Sequence, residues 1–203
     1  METSSTYGGG TANASASFVA GFMWLDKLAL AARLNHSVVC RQVFGHASYA
    51  AVGYDNLPNP DYFSALLWQR LVGGKVLAVE GGLAMNRDVR VYAFCASEEQ
   101  QPEGGGAVTV VWLNTKNESG ATLRFVDFGG QRMVWALTSQ PGLPTSRAVF
   151  LNGDTLLTVN AASGVPVDMP PAIVPAGHDG VVVAALSYGF VVLPGADAEA
   201  CGV

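Results

Sequence analysis

Apolar positions change their period once along the chain. In the first 72 residues they recur at helical spacing: Phe18, Phe22, Leu25, Ala29 and Ala32 fall on one face of a helix predicted to end near Asn35. Residues 38–44 are short and β-branched, as an inner strand is. Alternation sets Cys40, Gln42 and Phe44 on one face of that strand and Val39, Arg41 and Val43 on the other. Asn59 then supplies a cap, Pro60 suits a first helical position, and Gly73-Gly74 stops a second helix. The predicted order is strand end, helix, strand, helix.

Beyond Lys75 the period falls to two. Val89-Val91-Ala93, Val108-Val110-Trp112, Leu123-Phe125, Met133-Trp135, Val149-Leu151 and Leu156-Thr158 alternate with more polar neighbours between Gly, Asn and Pro turns. Asn152-Gly153 is a strong hairpin signal. Short strands so spaced predict a β-sandwich of about eight strands, with residues 100–106 as a polar, mobile loop. Residues 181–193 are the most apolar stretch, but Ser187, Tyr188 and Gly189 interrupt it. It falls short of the roughly 18 apolar residues of a membrane span and suits two buried strands.

Composition narrows the partners. With 203 residues, 50% hydrophobic and 13% charged, the chain can bury a substantial core and is not a disordered tail. A net charge of -5 with only 11 Lys plus Arg, none clustered, excludes a basic groove for nucleic acid. It also counts against a broad heparin-binding face. His36, His46 and His178 lie far apart with no paired Cys or His motif, so neither a metal nor a cofactor is expected. Asn13, Asn35 and Asn117 each open a glycosylation sequon, Asn117 in a polar turn between two apolar strands.

The chemistry centres on the opening run Glu2-Thr3-Ser4-Ser5-Thr6-Tyr7-Gly8-Gly9-Gly10. Alone, a terminal Glu is a frayed end and a Gly triplet a linker. The stretches that follow change the reading: Phe18-Val19-Ala20-Gly21-Phe22-Met23-Trp24-Leu25-Asp26-Lys27-Leu28, Arg41-Gln42-Val43-Phe44, Asn59-Pro60-Asp61-Tyr62 and Leu71-Val72-Gly73-Gly74-Lys75-Val76-Leu77. In this order they resemble the heparanase-like proteins of glycoside hydrolase family 79, specifically over residues 2–77 and more loosely beyond. Cys40-Arg41-Gln42 and residues 62–68 resemble plant-type members most.

The resemblance implies a fold that is α/β plus all-β. Residues 1–72 would be the last two βα units of a (β/α)8 TIM barrel, a C-terminal fragment of its catalytic domain, and residues 73–203 a C-terminal antiparallel β-sandwich. Glu2 matches the nucleophile of a retaining β-glucuronidase, which works with a second carboxyl group about 5 Å away. That acid/base belongs to an Asn-Glu pair on an earlier strand, so the chain is expected to need a missing N-terminal barrel portion and to be inactive alone. Active sites open at the C-terminal ends of barrel strands, which would bring Glu2, Gln42 and the loop of Tyr49 to one mouth. Tyr7, Gly8, Gly9 and Tyr49 would hold a substrate carboxylate through a hydroxyl and glycine N–H groups. Tyr49 can equally be a loop aromatic packed on the barrel rim. The family loop often reads Gly-Asn-Tyr where this chain has Ala47-Ser48-Tyr49, which puts one backbone contact in question.

Cys95 and Cys201 fall where the family places a disulfide, the alternative being two buried free thiols, and Cys40 reads as a small buried residue of a barrel strand. Sequons and disulfide point to a secreted protein, or one of the lysosome or vacuole, with peripheral membrane association open, although Met1–Ser4 carries no signal segment. The expected partner is a uronic-acid-bearing polysaccharide or proteoglycan glycan, less sulfated or neutral given the net charge. A second reading keeps the family but not the turnover: a truncated or degenerate relative whose sandwich is an interaction or secretion module.

Overall fold

The computed structural model describes residues 2–80, 87–160 and 163–202, with the side chain of Glu2 outside the described part. The described residues form mostly antiparallel sheet with two α-helices. In chain order the elements are β1 (Glu2–Thr3), α1 (Phe18–Arg33), β2 (Cys40–Arg41), α2 (Pro60–Leu71), β3 (Val72–Leu77), β4 (Val89–Ala96), β5 (Val108–Asn114), β6 (Ala121–Leu123), β7 (Arg132–Ser139), β8 (Val149–Leu151), β9 (Thr155–Leu156), β10 (Ala172–Val174), β11 (Val181–Val183) and β12 (Ser187–Leu193). The chain forms two compact units, Met1–Leu66 with Leu137–Met169, and Leu67–Ala136 with Pro170–Val203.

In the first unit β1 runs parallel to β2, with Glu2 opposite Cys40 and Thr3 opposite Arg41. The pairing continues one step further, where the Gln42 N–H donates to the Thr3 carbonyl at 2.9 Å. Helix α1 buries Phe18, Gly21, Trp24, Leu25 and Ala29, close to the face its periodicity predicts. Asn35, just past its end, takes the left-handed φ of 60° that often closes a helix. Helix α2 starts at the proline as expected, but the Asn59 side chain does other work: its Nδ2 donates to the Ala50 carbonyl at 2.7 Å. The Asn152-Gly153 signal is the β8–β9 turn, with φ of 53° and 101° at the two residues.

The predicted strand over residues 38–44 is only two residues long here, and the Cys40 thiol, expected to be buried, is exposed. Val38 and Phe44 are also exposed, at 62% and 71%. The physical reason is that β2 has a single hydrogen-bonded strand neighbour among the described residues, so no further strand extends its pairing.

The second unit is built on strands in the order β3-β4-β5-β12-β7, with β10 also on β7 and a separate antiparallel pair of β6 and β11. Strands β5 and β12 are buried at every position, which accounts for the apolar run Phe190-Val191-Val192-Leu193, whereas the other strand expected to be buried, β11, exposes Val182 at 75%. Val89, Val110, Trp112 and Val191 share one core cluster with Leu123, Val181 and Val183. Cys95 and Cys201 are disulfide-bonded. Residues 100–106, expected to be mobile, are tied down instead. The Gln101 side chain donates to the Ala96 carbonyl and accepts from the Ala107 N–H, and the Gly106 N–H donates to the Cys201 carbonyl.

Gly189 in β12 lies where two aromatic neighbours close on the backbone. A Cβ there would sit 2.1 Å from the Trp135 carbonyl oxygen and 2.6 Å from the Trp112 ring. Gly189→Ala is therefore expected to destabilise the protein by about 3 kcal/mol, the upper range for overpacking, read as a lowered midpoint in thermal unfolding.

Candidate active site

The C-terminal end of β1 is held by a lysine from the helix. Lys27 Nζ donates to Thr3 Oγ1 at 2.7 Å and to the Ser4 carbonyl at 2.6 Å. Burial holds the Lys27 pKa below its ordinary value, and the nearby Arg41 charge lowers it further. The strand that carries Glu2 is thus anchored, one residue on, by a cation of α1.

Arg41 organises the neighbouring elements. Its guanidinium donates to the Asp61 carboxylate at the start of α2 and to the Tyr49 carbonyl, and it lies 4.9 Å over the Trp24 ring of α1. Only arginine offers a planar fork that satisfies two acceptors while stacking on an aromatic face. Its side chain is 15% exposed and that of Asp61 1%. Burial raises the Asp61 pKa to about 6, against the opposing pull of Arg41. Sequence reasoning missed this pair. Both residues lay inside the short stretches that carried the resemblance, but nothing local says that positions 41 and 61 meet.

The glycine run packs against the loop of Tyr49. Gly8, Gly9 and Gly10 all have positive φ, 76°, 98° and 122°. Around Gly8 and Gly9 the space is open, whereas a Cβ on Gly10 would lie 2.8 Å from Ser48 Cβ and 3.1 Å from the Tyr49 nitrogen. Buried Ser15 closes the run from behind, accepting from Ser5 Oγ at 2.7 Å and the Thr11 N–H at 2.8 Å. Gly8, Gly9 and half-buried Tyr49 therefore share one pair of abutting loops, while the Tyr7 and Gln42 side chains are exposed. Asn13, Asn35 and Asn117 are all exposed.

No family model matches the chain. It is 39% identical over 203 residues to the heparanase of Gallus gallus, covering 98% of this chain and 38% of that protein. The chain is a homologue of the heparanases. It is also 33% identical over 200 residues to the baicalin-beta-D-glucuronidase of Scutellaria baicalensis, covering 96% of this chain and 35% of the relative. To the protein named inactive heparanase-2 of Mus musculus it is 31% identical over 210 residues, covering 97% and 35%. This heparanase homologue thus spans little more than a third of the length of these relatives. The animal heparanase exceeds the plant glucuronidase in overall identity, so the plant-type likeness expected from residues 40–42 and 62–68 does not hold for the chain as a whole. In fold the chain is similar to the GH51 alpha-L-arabinofuranosidase of Thermotoga petrophila, with a TM-score of 0.58 at 12% identity over 89% of this chain and 39% of that one.

Two outcomes follow for the Arg41–Asp61 pair. Arg41→Met leaves the Asp61 carboxylate buried without its partner and is expected to cost about 3–5 kcal/mol in chemical denaturation. Because the folded-state pKa of Asp61 is raised to about 6 from 3.8, the folded protein binds the proton more tightly. Its contribution to stability rises as pH falls from about 6 toward 4 and is lost as pH climbs through 6. Unfolding curves of wild type and Asp61→Asn across that window should diverge with pH, the variant lacking this component of the slope.

Proposed function

We propose that this chain is the carboxy-terminal part of a retaining glycoside hydrolase that cleaves β-linked glucuronic acid from cell-wall or matrix glycans. In this reading residues 1–72 are the last two βα units of a TIM barrel, and residues 73–203 a β-sandwich domain. Glu2 attacks the anomeric carbon while ionised as the acid/base protonates the departing glycosidic oxygen, and water activated by that same group then hydrolyses the glycosyl-enzyme ester, restoring the Glu2 carboxylate. The acid/base is assigned to an earlier barrel strand outside these 203 residues; Glu80, Glu98, Glu99, Glu103 and Glu118 are all solvent-exposed carboxylates of the other unit.

The observation that carries the reading is the register of β1 on β2 together with the contact of Gly10 on Ser48 and Tyr49. It supports one mouth at which the strand end bearing Glu2 meets two loops suited to an anion. Backbone N–H groups at open glycines approach a carboxylate without a counter-charge, and the Tyr49 hydroxyl adds a directed donor. The Cys95–Cys201 bond supports an oxidising compartment, hence secretion or delivery to a lysosome or vacuole. The relatives named heparanase and baicalin-beta-D-glucuronidase support a uronic-acid-bearing glycan as substrate. A second reading, a non-catalytic family member acting through its β-sandwich, draws support from the relative named inactive heparanase-2.

In the full-length protein Glu2→Gln is expected to abolish hydrolysis of an aryl β-glucuronide while leaving its binding intact; unaltered turnover would remove Glu2 from the mechanism. Tyr49→Phe should raise KM for the glucuronide about 10-fold, the value of one hydrogen bond to a charged group, and leave an aryl β-glucoside unaffected.

A further inference from the structure

A loop that no motif marked grips both arms of this mouth. Residues 140–148 connect β7 to β8, and the neck is closed by Ser139 pairing with Val149. Within it the Leu143 N–H donates to the Gln140 carbonyl and the Ser146 N–H to the Leu143 carbonyl, both at 2.9 Å, and the Ala148 N–H donates to Ser146 Oγ at 3.0 Å. It is a short, internally bonded mount.

One side of this mount caps helix α1. The helix begins after Ser17, whose hydroxyl makes no cap and turns back to the Ala14 carbonyl at 2.8 Å. Two N–H groups of the first turn are satisfied instead from residues 144 and 146: Phe18 donates to the Ser146 carbonyl at 2.8 Å and Val19 to the Pro144 carbonyl at 3.2 Å. Those helix residues follow directly on the Gly8–Gly10 arm and its Ser15 anchor.

The other side grips the arm of Tyr49. Arg147 Nη1 donates to Asp55 Oδ2 at 2.5 Å, and Nη2 donates to the Leu57 carbonyl at 3.0 Å and the Pro58 carbonyl at 3.3 Å. The hydrogen bonds from Arg147, ahead of a backbone bond from Leu57, hold the Asp55 pKa below its ordinary value. From there the backbone leads straight to the tyrosine. Pro58 bridges to Val52, the Asn59 N–H donates to the Ala51 carbonyl at 2.8 Å, and the Asn59 side chain holds the carbonyl of Ala50, next to Tyr49.

We infer that residues 140–148 are a clamp that sets the spacing of the Gly8–Gly10 and Tyr49 arms, with Arg147 as a positioning residue for recognition of the substrate carboxylate. The inference rests on the glucuronidase reading above. Arg147 and Asp55 are 38% and 47% exposed, and an exposed ion pair contributes little to folding. Its value lies in placement, since a shift of about 1 Å in a binding group can cost on the order of 100-fold in rate.

The test uses the full-length protein carrying Glu2→Gln, with 4-nitrophenyl β-D-glucuronide and 4-nitrophenyl β-D-glucoside as probes. Dissociation constants for both are measured with Arg147 intact, with Arg147→Ala and with Arg147→Lys. A fold defect would weaken both probes together; a misplaced carboxylate site weakens the glucuronide alone. The clamp predicts that Arg147→Ala cuts the preference for the glucuronide about 10-fold, with glucoside binding unchanged, and that Arg147→Lys, which keeps the charge but not the fork, recovers part of it. A preference unchanged in both variants overturns the clamp and leaves the glucuronidase reading standing. Equal binding of the two probes with Arg147 intact overturns that reading, and the clamp with it.

Discussion

The first unit depends on the placement of one charged group, the Arg41 guanidinium. From a two-residue strand it reaches the Asp61 carboxylate of α2, the Tyr49 carbonyl and the Trp24 ring of α1, so four segments take their positions from a single planar fork. Desolvating such a pair cancels much of its attraction, so its net stabilisation is small. What it supplies is geometry, because removing Arg41 leaves the Asp61 carboxylate buried and uncompensated. Lys27 extends the same device to β1, and the two cations coexist because hydroxyl, carbonyl and carboxylate oxygens surround them.

The second unit is held by different physics. Burial of β5 and β12 at every position supplies a hydrophobic core, and the Cys95–Cys201 bond ties a tail to β4 across a separation of 106 residues. In the chain-entropy account a loop of that size contributes on the order of 4 kcal/mol. A buried arginine recurs here too, but its acceptors are backbone oxygens: the Arg132 guanidinium donates to the carbonyls of Pro175 and Gly177 and so fixes the path of the chain after β10.

Elements whose signal is local were legible in the sequence. The period of α1, the proline that opens α2, the strands β4 and β7 and the Asn152-Gly153 turn each lie within a single element, although the expected polar neighbours fail in β4 and β7, where Tyr92, Phe94 and Val134 are buried as well. What escaped depends on distant partners. The length of β2 and the exposure of Cys40 follow from which strands flank it, not from its own β-branched residues. The contacts of Gln101 and Gly106 pin residues 100–106 from outside the loop, the one from Gly106 reaching as far as Cys201, so polar composition alone suggested mobility. The grouping of residues 137–169 with the first 66 likewise has no local signature, and the Arg147 clamp was invisible with it. At the candidate site, the Gly run and Tyr49 were named from family resemblance, whereas Arg41 and Asp61 were read only as part of a motif.

Lys27 and Ser15 hold the segment that begins at Glu2. The most direct test of its role is chemical trapping. The full-length protein would be incubated with a 2-deoxy-2-fluoro-β-glucuronyl fluoride, whose fluorine at C2 slows release of a glycosyl ester, digested, and mapped by mass spectrometry. One covalent sugar per molecule is expected, on the peptide that contains Glu2 and at that carboxylate. A sugar attached to any other residue, or turnover of an aryl glucuronide without trapping, would contradict it.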